Sequence, residues 1–271
     1  MPELPEVETT KRGIEPYLID KNFKSIEIRN NKLRIPFNVE FLDFVTKKKI
    51  TEIQRRAKYI TIEFSNGYSL LIHLGMTGNL RVTKSENFQK HDHLIFKLCS
   101  GNSLIFNDVR RFGLAQIFKK EDGFYLLDNN GPDPFENEAT NQYFHNKIRT
   151  SSASIKAILL NHKIISGIGN IYASEILFSS GISPLRAGKK ISKIEINKIL
   201  TNSRKILKKA IEAGGTTLND YFNADSKPGY FKIKLNVYDC EGQNCKNCKT
   251  KIKRIVQSNR STYFCPICQK I

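Results

Sequence analysis

Residues 245–268 read CKNCKTKIKRIVQSNRSTYFCPIC, and this stretch decides what the C-terminal end of the chain must be. It holds two C-x-x-C pairs, Cys245 with Cys248 and Cys265 with Cys268, separated by 16 residues. Each pair closes a tight turn, and four thiolates at this spacing can surround one zinc ion tetrahedrally. Between the pairs lie a β-prone run, Lys251–Val256, a turn at Ser258-Asn259-Arg260, and a second run, Ser261–Phe264. The expectation is a two-stranded zinc ribbon with Arg260 near its tip. Four Cys ligands leave no place for water, so the one Zn2+ is expected to be structural, and chemistry has to come from what the hairpin presents. Of the other cysteines, Cys99 reads as a core residue in a strand and Cys240 as a neighbour of the metal site.

Working upstream, the segment Asn129-Asn130-Gly131-Pro132-Asp133-Pro134 is the strongest punctuation in the chain and places a domain boundary after residue 131. Beyond it the pattern is helical: Ser154–Asn161, then Ile171–Ser179 stopped by Gly181 and Pro184, then a long run with Ile196, Ile199, Leu200, Ile206, Leu207, Ala210 and Ile211 on one face, ended by Gly214-Gly215. Before the boundary, Pro5–Leu18 reads as a helix, with Glu6 and Glu8 at the positive end of its dipole. Short β runs follow at Ser25–Arg29, Ile50–Gln54, Tyr59–Phe64, Tyr68–Leu74, His93–Leu98, Ser103–Asn107 and Leu114–Phe118. Asn66-Gly67 and Ser100-Gly101-Asn102 mark hairpin turns, which together predict an antiparallel sandwich flanked by a helix.

The 271 residues carry a net charge of +18 from 44 basic and 26 acidic side chains. Residues 1–146 hold 21 basic and 19 acidic groups, whereas 147–271 hold 23 and 7. The second half therefore attracts polyanions, nucleic acid foremost, although a solvated lysine-rich surface has the same composition. No window approaches 18 apolar residues and the first six residues are acidic, so a soluble cytoplasmic protein is expected, with no membrane partner. Pro2 becomes the first residue once Met1 is removed. A terminal proline nitrogen is a secondary amine able to form an iminium with an aldehyde-level carbon. By itself a proline at this position is ordinary, as is the carboxylate of Glu3 beside it.

Several further segments converge with these. Met1-Pro2-Glu3-Leu4-Pro5-Glu6-Val7-Glu8-Thr9, Arg55-Arg56-Ala57-Lys58-Tyr59, His73-Leu74-Gly75-Met76-Thr77-Gly78, Lys90-His91-Asp92-His93, Arg110-Arg111-Phe112-Gly113 and Gly167-Ile168-Gly169-Asn170-Ile171-Tyr172-Ala173-Ser174-Glu175 stand in one chain with the four-cysteine ribbon. In this the sequence resembles the bacterial formamidopyrimidine-DNA glycosylase family over essentially its whole length. The resemblance implies an α+β fold with an N-terminal catalytic β-sandwich (1–131), a helix–two-turn–helix domain (132–231) and the zinc finger (232–271). It implies a monomeric base-excision enzyme that removes oxidised purines, 8-oxoguanine and formamidopyrimidines, from double-stranded DNA, nicks the abasic strand, needs no organic cofactor, and lies with the nucleoid.

By the same resemblance Pro2 is the nucleophile at the sugar C1′ and Glu3 the general acid/base. Glu6 can assist Glu3 or cap the helix, and the cap is the favoured reading. Lys58 matches a lysine of proton transfer in elimination; an ammonium beside phosphates can equally clamp them. Arg260 matches an arginine of δ-elimination, for which bidentate phosphate stabilisation is the more physical role. Met76, Arg110 and Phe112 match a trio that fills the gap left by a flipped base; read alone, Met76 and Phe112 are core residues. His91, Lys156 and Asn170 match backbone contacts to DNA. Arg149-Thr150-Ser151-Ser152 stands where the family often has lysines, and Gly214–Tyr230 resembles its lesion-capping loop. Two rivals share part of this pattern: an endonuclease VIII-like enzyme for oxidised pyrimidines, and a non-catalytic zinc-ribbon DNA-binding protein.

Overall fold

The structure, a computed structural model, describes residues 2–214 and 235–270. Its first helix, α1 (Leu4–Leu18), has Glu3 as N-cap and Pro5 in the first turn, where a missing N–H is harmless. Leu4, Val7, Ile14 and Leu18 are fully buried along one face. Eight strands follow: β1 (Phe23–Ile28), β2 (Ile50–Arg56), β3 (Tyr59–Phe64), β4 (Tyr68–His73), β5 (Asn79–Thr83), β6 (Asp92–Leu98), β7 (Ser103–Asn107) and β8 (Leu114–Lys119), with the short α2 (Leu42–Val45) between the first two. They form two four-stranded antiparallel sheets, ordered β1-β6-β7-β5 and β2-β3-β4-β8.

Phe23 of β1 reaches both Phe96 in its own sheet, at 5.1 Å between ring centroids, and Phe64 of the other sheet, at 5.7 Å. Ile62, Leu70, Leu80 and Leu104 complete this shared apolar interior, and α1 packs beside it. The expected sandwich is present. Both hairpin turns lie where the sequence puts them, with Gly67 at φ +81° and Gly101 at φ +87°.

Strand β5 is absent from the sequence reading because Arg81 stands in its middle. The residue is nevertheless only 8% exposed. Its guanidinium grips the buried Asp92 carboxylate in two parallel bonds, Nη1 to Oδ1 at 2.8 Å and Nη2 to Oδ2 at 2.5 Å. The Asn107 amide and the Gln89 backbone N–H, each at 2.7 Å, donate to the same carboxylate. Burial opposes the Asp92 charge, but these donors prevail and hold its pKa below the ordinary carboxylate value. Cys99 also departs from expectation. β6 ends at Leu98, so Cys99 falls in the turn and is exposed rather than in the core.

The first compact unit closes with α3 (Tyr125–Asp128), and the second begins at Asn129. The second contains α4 (Asn141–Ile148), α5 (Ile155–Leu159), α6 (Asn170–Ser180), α7 (Lys193–Glu212) and the hairpin β9 (Lys253–Gln257) and β10 (Arg260–Phe264). Thr140 and Ser154 cap α4 and α5, accepting from the backbone N–H of Tyr143 at 3.1 Å and of Ala157 at 3.3 Å. Helix α6 is buried on every side from Ile171 to Phe178 and ends at Gly181, φ +70°. The amphipathic α7 buries Ile196, Ile199, Leu200, Leu207 and Ala210, as its period predicts. A Ser192–Glu195 capping box starts it. Because α6 touches β10, the ribbon shares one compact unit with the helices rather than standing apart. The Gly214–Tyr230 loop lies, from residue 215 on, outside the described residues. No helix among the described residues is long and apolar enough to cross a membrane.

Arg81→Ala leaves the Asp92 carboxylate buried without its cation, and the unfolding free energy should fall by about 3–5 kcal/mol in a urea titration.

Candidate active site and nucleic-acid interface

Pro2 and Glu3 are buried at the start of α1. The Glu3 N–H donates to Glu6 Oε2 at 2.9 Å, and the Glu6 N–H returns to the Glu3 side chain. Glu6 is therefore the cap it was expected to be, and the residue next to Pro2 has a fixed backbone. One turn on, Glu8 accepts from Arg12 at 2.8 Å and from Arg55 at 2.9 Å, which keeps its pKa low against burial. Arg55 also donates to the Ala57 carbonyl at 3.0 Å. This chain of bonds ties α1 to the tip of the β2–β3 hairpin, where Arg56 pairs with Tyr59 and the two turn residues are Ala57 and Lys58. Ala57 takes the left-handed conformation, φ +54°, that so short a turn requires.

Across β3 and β4, Tyr59 faces His73, with ring centroids 4.8 Å apart. His73 is half-buried; loss of hydration first, then the Lys58 and Arg34 cations, push its pKa down to about 3. Its imidazole is neutral, and Nδ1 accepts the Gly75 N–H at 3.0 Å, fixing the first turn of the loop that carries Met76.

Met76 is 37% and Phe112 46% exposed. Both stand out of the sandwich, against the core assignment their residue types suggest in isolation. Arg110, also exposed, lies over the Phe112 ring at 4.9 Å from its centroid. His91 is partly exposed just ahead of β6.

In the second unit the four thiolates of Cys245, Cys248, Cys265 and Cys268 lie within 4.8 Å of one another. Tetrahedral zinc with bonds of about 2.3 Å sets its sulfurs about 3.8 Å apart. Cys245 and Cys268 are separated by 3.8 Å and Cys248 and Cys265 by 3.4 Å, so the donor set fits one zinc ion closed to other ligands. Gln257 pairs with Arg260, leaving Ser258 and Asn259 as a two-residue turn with φ +48° and +59°. Both values are positive, the hairpin turn that matches strand twist, and Arg260 is exposed at its foot.

Lys156 is 1% exposed, with its ammonium donating to the Ser261 carbonyl at 2.9 Å and to Thr262 Oγ1 at 2.7 Å. In this position it binds the ribbon to α5, a structural contact that its sequence did not announce. Asn170, the first residue of α6, donates to the same Ser261 carbonyl at 2.9 Å. Glu175 is a structural anchor that sequence reasoning missed: its carboxylate collects the backbone N–H groups of Asn236, Val237 and Tyr238 at 2.9–3.0 Å and the Asn236 amide. An acid in an otherwise apolar helix face was the available signal.

Three family descriptions match consecutive parts of the chain: "Formamidopyrimidine-DNA glycosylase N-terminal domain" over residues 1–115, "Formamidopyrimidine-DNA glycosylase H2TH domain" over 130–221, and "Zinc finger found in FPG and IleRS" over 242–271. The chain belongs to the formamidopyrimidine-DNA glycosylase family. Proteins of that name from Legionella pneumophila (strain Lens) and Rickettsia felis are 45% and 42% identical to it, covering 100% and 99% of this chain and 99% and 98% of their own. Among solved structures, the Thermus thermophilus protein superposes with a TM-score of 0.88 at 33% identity, covering 99% of this chain and 98% of its own. The Lactococcus lactis protein complexed with DNA containing an abasic site does so at 0.91 and 31%, covering 100% of both chains. As a member of that family the protein is a base-excision repair enzyme of the glycosylase and abasic-site lyase class.

Two outcomes test these contacts. Lys156→Met should speed zinc loss to a chromogenic chelator and cost about 1–3 kcal/mol, since it strips donors from buried oxygens. For His73, the unfolded imidazole takes a proton near pH 6.5, the folded one only near pH 3, so its stabilising contribution is complete above the first value and lost as pH falls below it. His73→Gln should flatten the decline in stability seen in urea melts between about pH 6.5 and 5.

Proposed function

We propose that the protein excises oxidised purines, 8-oxoguanine and formamidopyrimidines, from double-stranded DNA and then cleaves the strand at the abasic site. Pro2, exposed as a secondary amine by loss of Met1, attacks C1′ of the damaged nucleotide. The N-glycosidic bond breaks, the base leaves, and the sugar is held as an iminium on the proline nitrogen. This cation acidifies the C2′ hydrogen, so loss of that proton expels the 3′ phosphate, and a second elimination expels the 5′ phosphate. Glu3 moves protons on the opening sugar.

What carries this reading is the bonded path from the Glu3–Glu6 box through Glu8 and Arg55 to Ala57-Lys58, which joins the candidate nucleophile to the candidate ammonium on one rigid body. Lys58 serves proton transfer and phosphate binding at the hairpin tip. Arg260 serves phosphate stabilisation from the ribbon. Met76, Arg110 and Phe112 occupy the stack vacated by the flipped nucleotide, and their exposure supports that role. His91 and the amino end of α6 at Asn170 take backbone phosphates. Zinc supplies no step; bound by its four thiolates it holds the hairpin that carries Arg260. Complexes of the Lactococcus lactis relative with DNA containing Fapy-dG agree with the substrate class.

Borohydride treatment with a duplex carrying 8-oxoguanine opposite cytosine should cross-link the chain, and peptide mass mapping should place the adduct on Pro2. Pro2→Gly should keep damaged-duplex binding and lose most strand cleavage. Full cleavage by that variant contradicts the assignment.

A further inference from the structure

One buried acid is unused by this mechanism. Asp108, directly after β7, is 0% exposed. Its Oδ1 accepts the Thr77 hydroxyl at 2.5 Å, and its Oδ2 accepts the Gly113 N–H at 2.7 Å. Its own N–H donates to the His91 carbonyl at 3.1 Å, and its carbonyl meets His93 Nε2 at 2.7 Å. Thr77 Oγ1 in turn accepts the Arg110 N–H at 3.0 Å. The two partners of the carboxylate adjoin the gap-filling residues: Thr77 follows Met76 and holds the Arg110 N–H, and Gly113 follows Phe112, while the Asp108 main chain holds His91 and His93.

The loops are also in backbone contact. A Cβ on Gly75 would lie 2.4 Å from the Gly113 nitrogen, and Arg111 between the two presented side chains is left-handed at φ +56°. Such a junction has few ways to close. Among the described residues the Asp108 carboxylate is paired with no cation, and its charge is balanced by the hydroxyl and amide donors it gathers. An unpaired buried carboxylate is costly, and hydrogen bonds to it are stronger than neutral ones, so the donors are gripped hard.

We propose that Asp108 is a positioning residue whose carboxylate fixes Met76, Arg110 and Phe112 in the arrangement needed to replace an everted base. The proposal rests on the excision reading above. It predicts a split between two steps of one reaction. Removing an intact base requires eversion and occupation of the gap. Attack on a preformed abasic site has no base to displace and depends chiefly on Pro2, Glu3 and Lys58.

Asp108→Asn keeps size and one acceptor but removes the charge. Its single-turnover excision of 8-oxoguanine should fall by about tenfold or more, while borohydride cross-linking to a preformed abasic site stays near the wild-type rate. A 2-aminopurine beside the lesion should lose the fluorescence rise that reports stack opening. Thr77→Val, which deletes the hydroxyl joining Asp108 to the Arg110 amide, should show the same split more weakly, and Thr77→Ser should restore excision. If Asp108→Asn does not fold, the Thr77 pair decides alone. Equal losses in excision and abasic cross-linking, or unchanged excision in both variants beside an active wild type, overturn the positioning role. A wild type that forms no cross-link on Pro2 overturns the excision reading itself, and this role with it.

Discussion

A charged group taken out of water must be satisfied by whatever chain passes it. That constraint organises this protein. Several of its buried charges gather donors or acceptors from segments distant in sequence and so convert a loop into a fixed object. Asp92 with Arg81 holds the turn before β6, Glu175 holds residues 236–238, and Lys156 holds the strand that follows Arg260. The apolar interior gives the sandwich its core, and these internal ions pin the segments that pass beside it and the ribbon.

Much of the architecture was legible because it rests on local signals. Glycine at the hairpin turns, the period of α7 and the paired cysteines each carry their structure within a few residues. What escaped was structure whose cause lies elsewhere in the chain. Asn79–Thr83 is a strand because Asp92 neutralises its central arginine. Lys156 looks like any solvated lysine until the Ser261 carbonyl and Thr262 hydroxyl close over it. Cys99 looks buried by pattern, and one residue of strand length moves it to the surface. The same limit applied to the site. The residues were recognisable from their motifs, whereas their bonding path through Glu8 and Arg55 was visible only in the fold.

The two units divide the work by chemical character. The first carries most of the groups proposed for bond breaking and base replacement, and the sequence up to residue 146 is nearly balanced in charge. The second carries the excess of cations together with a metal-pinned hairpin. A neutral His73 beside Lys58 belongs to the same logic: by refusing a proton, it adds no further positive charge beside the Lys58 and Arg34 cations.

The burial of Lys156 has a consequence for the medium in which the protein operates. Cations on the surface lose their pull on a phosphate backbone as ionic strength rises, because mobile ions screen them over about 8–10 Å. The Lys156 ammonium, on a residue 1% exposed and bonded to the ribbon, is screened far less by those ions. Added electrolyte therefore loosens the grip on a nucleic acid without undocking the ribbon, so the protein can let go of one stretch of duplex and meet the next with its apparatus still assembled.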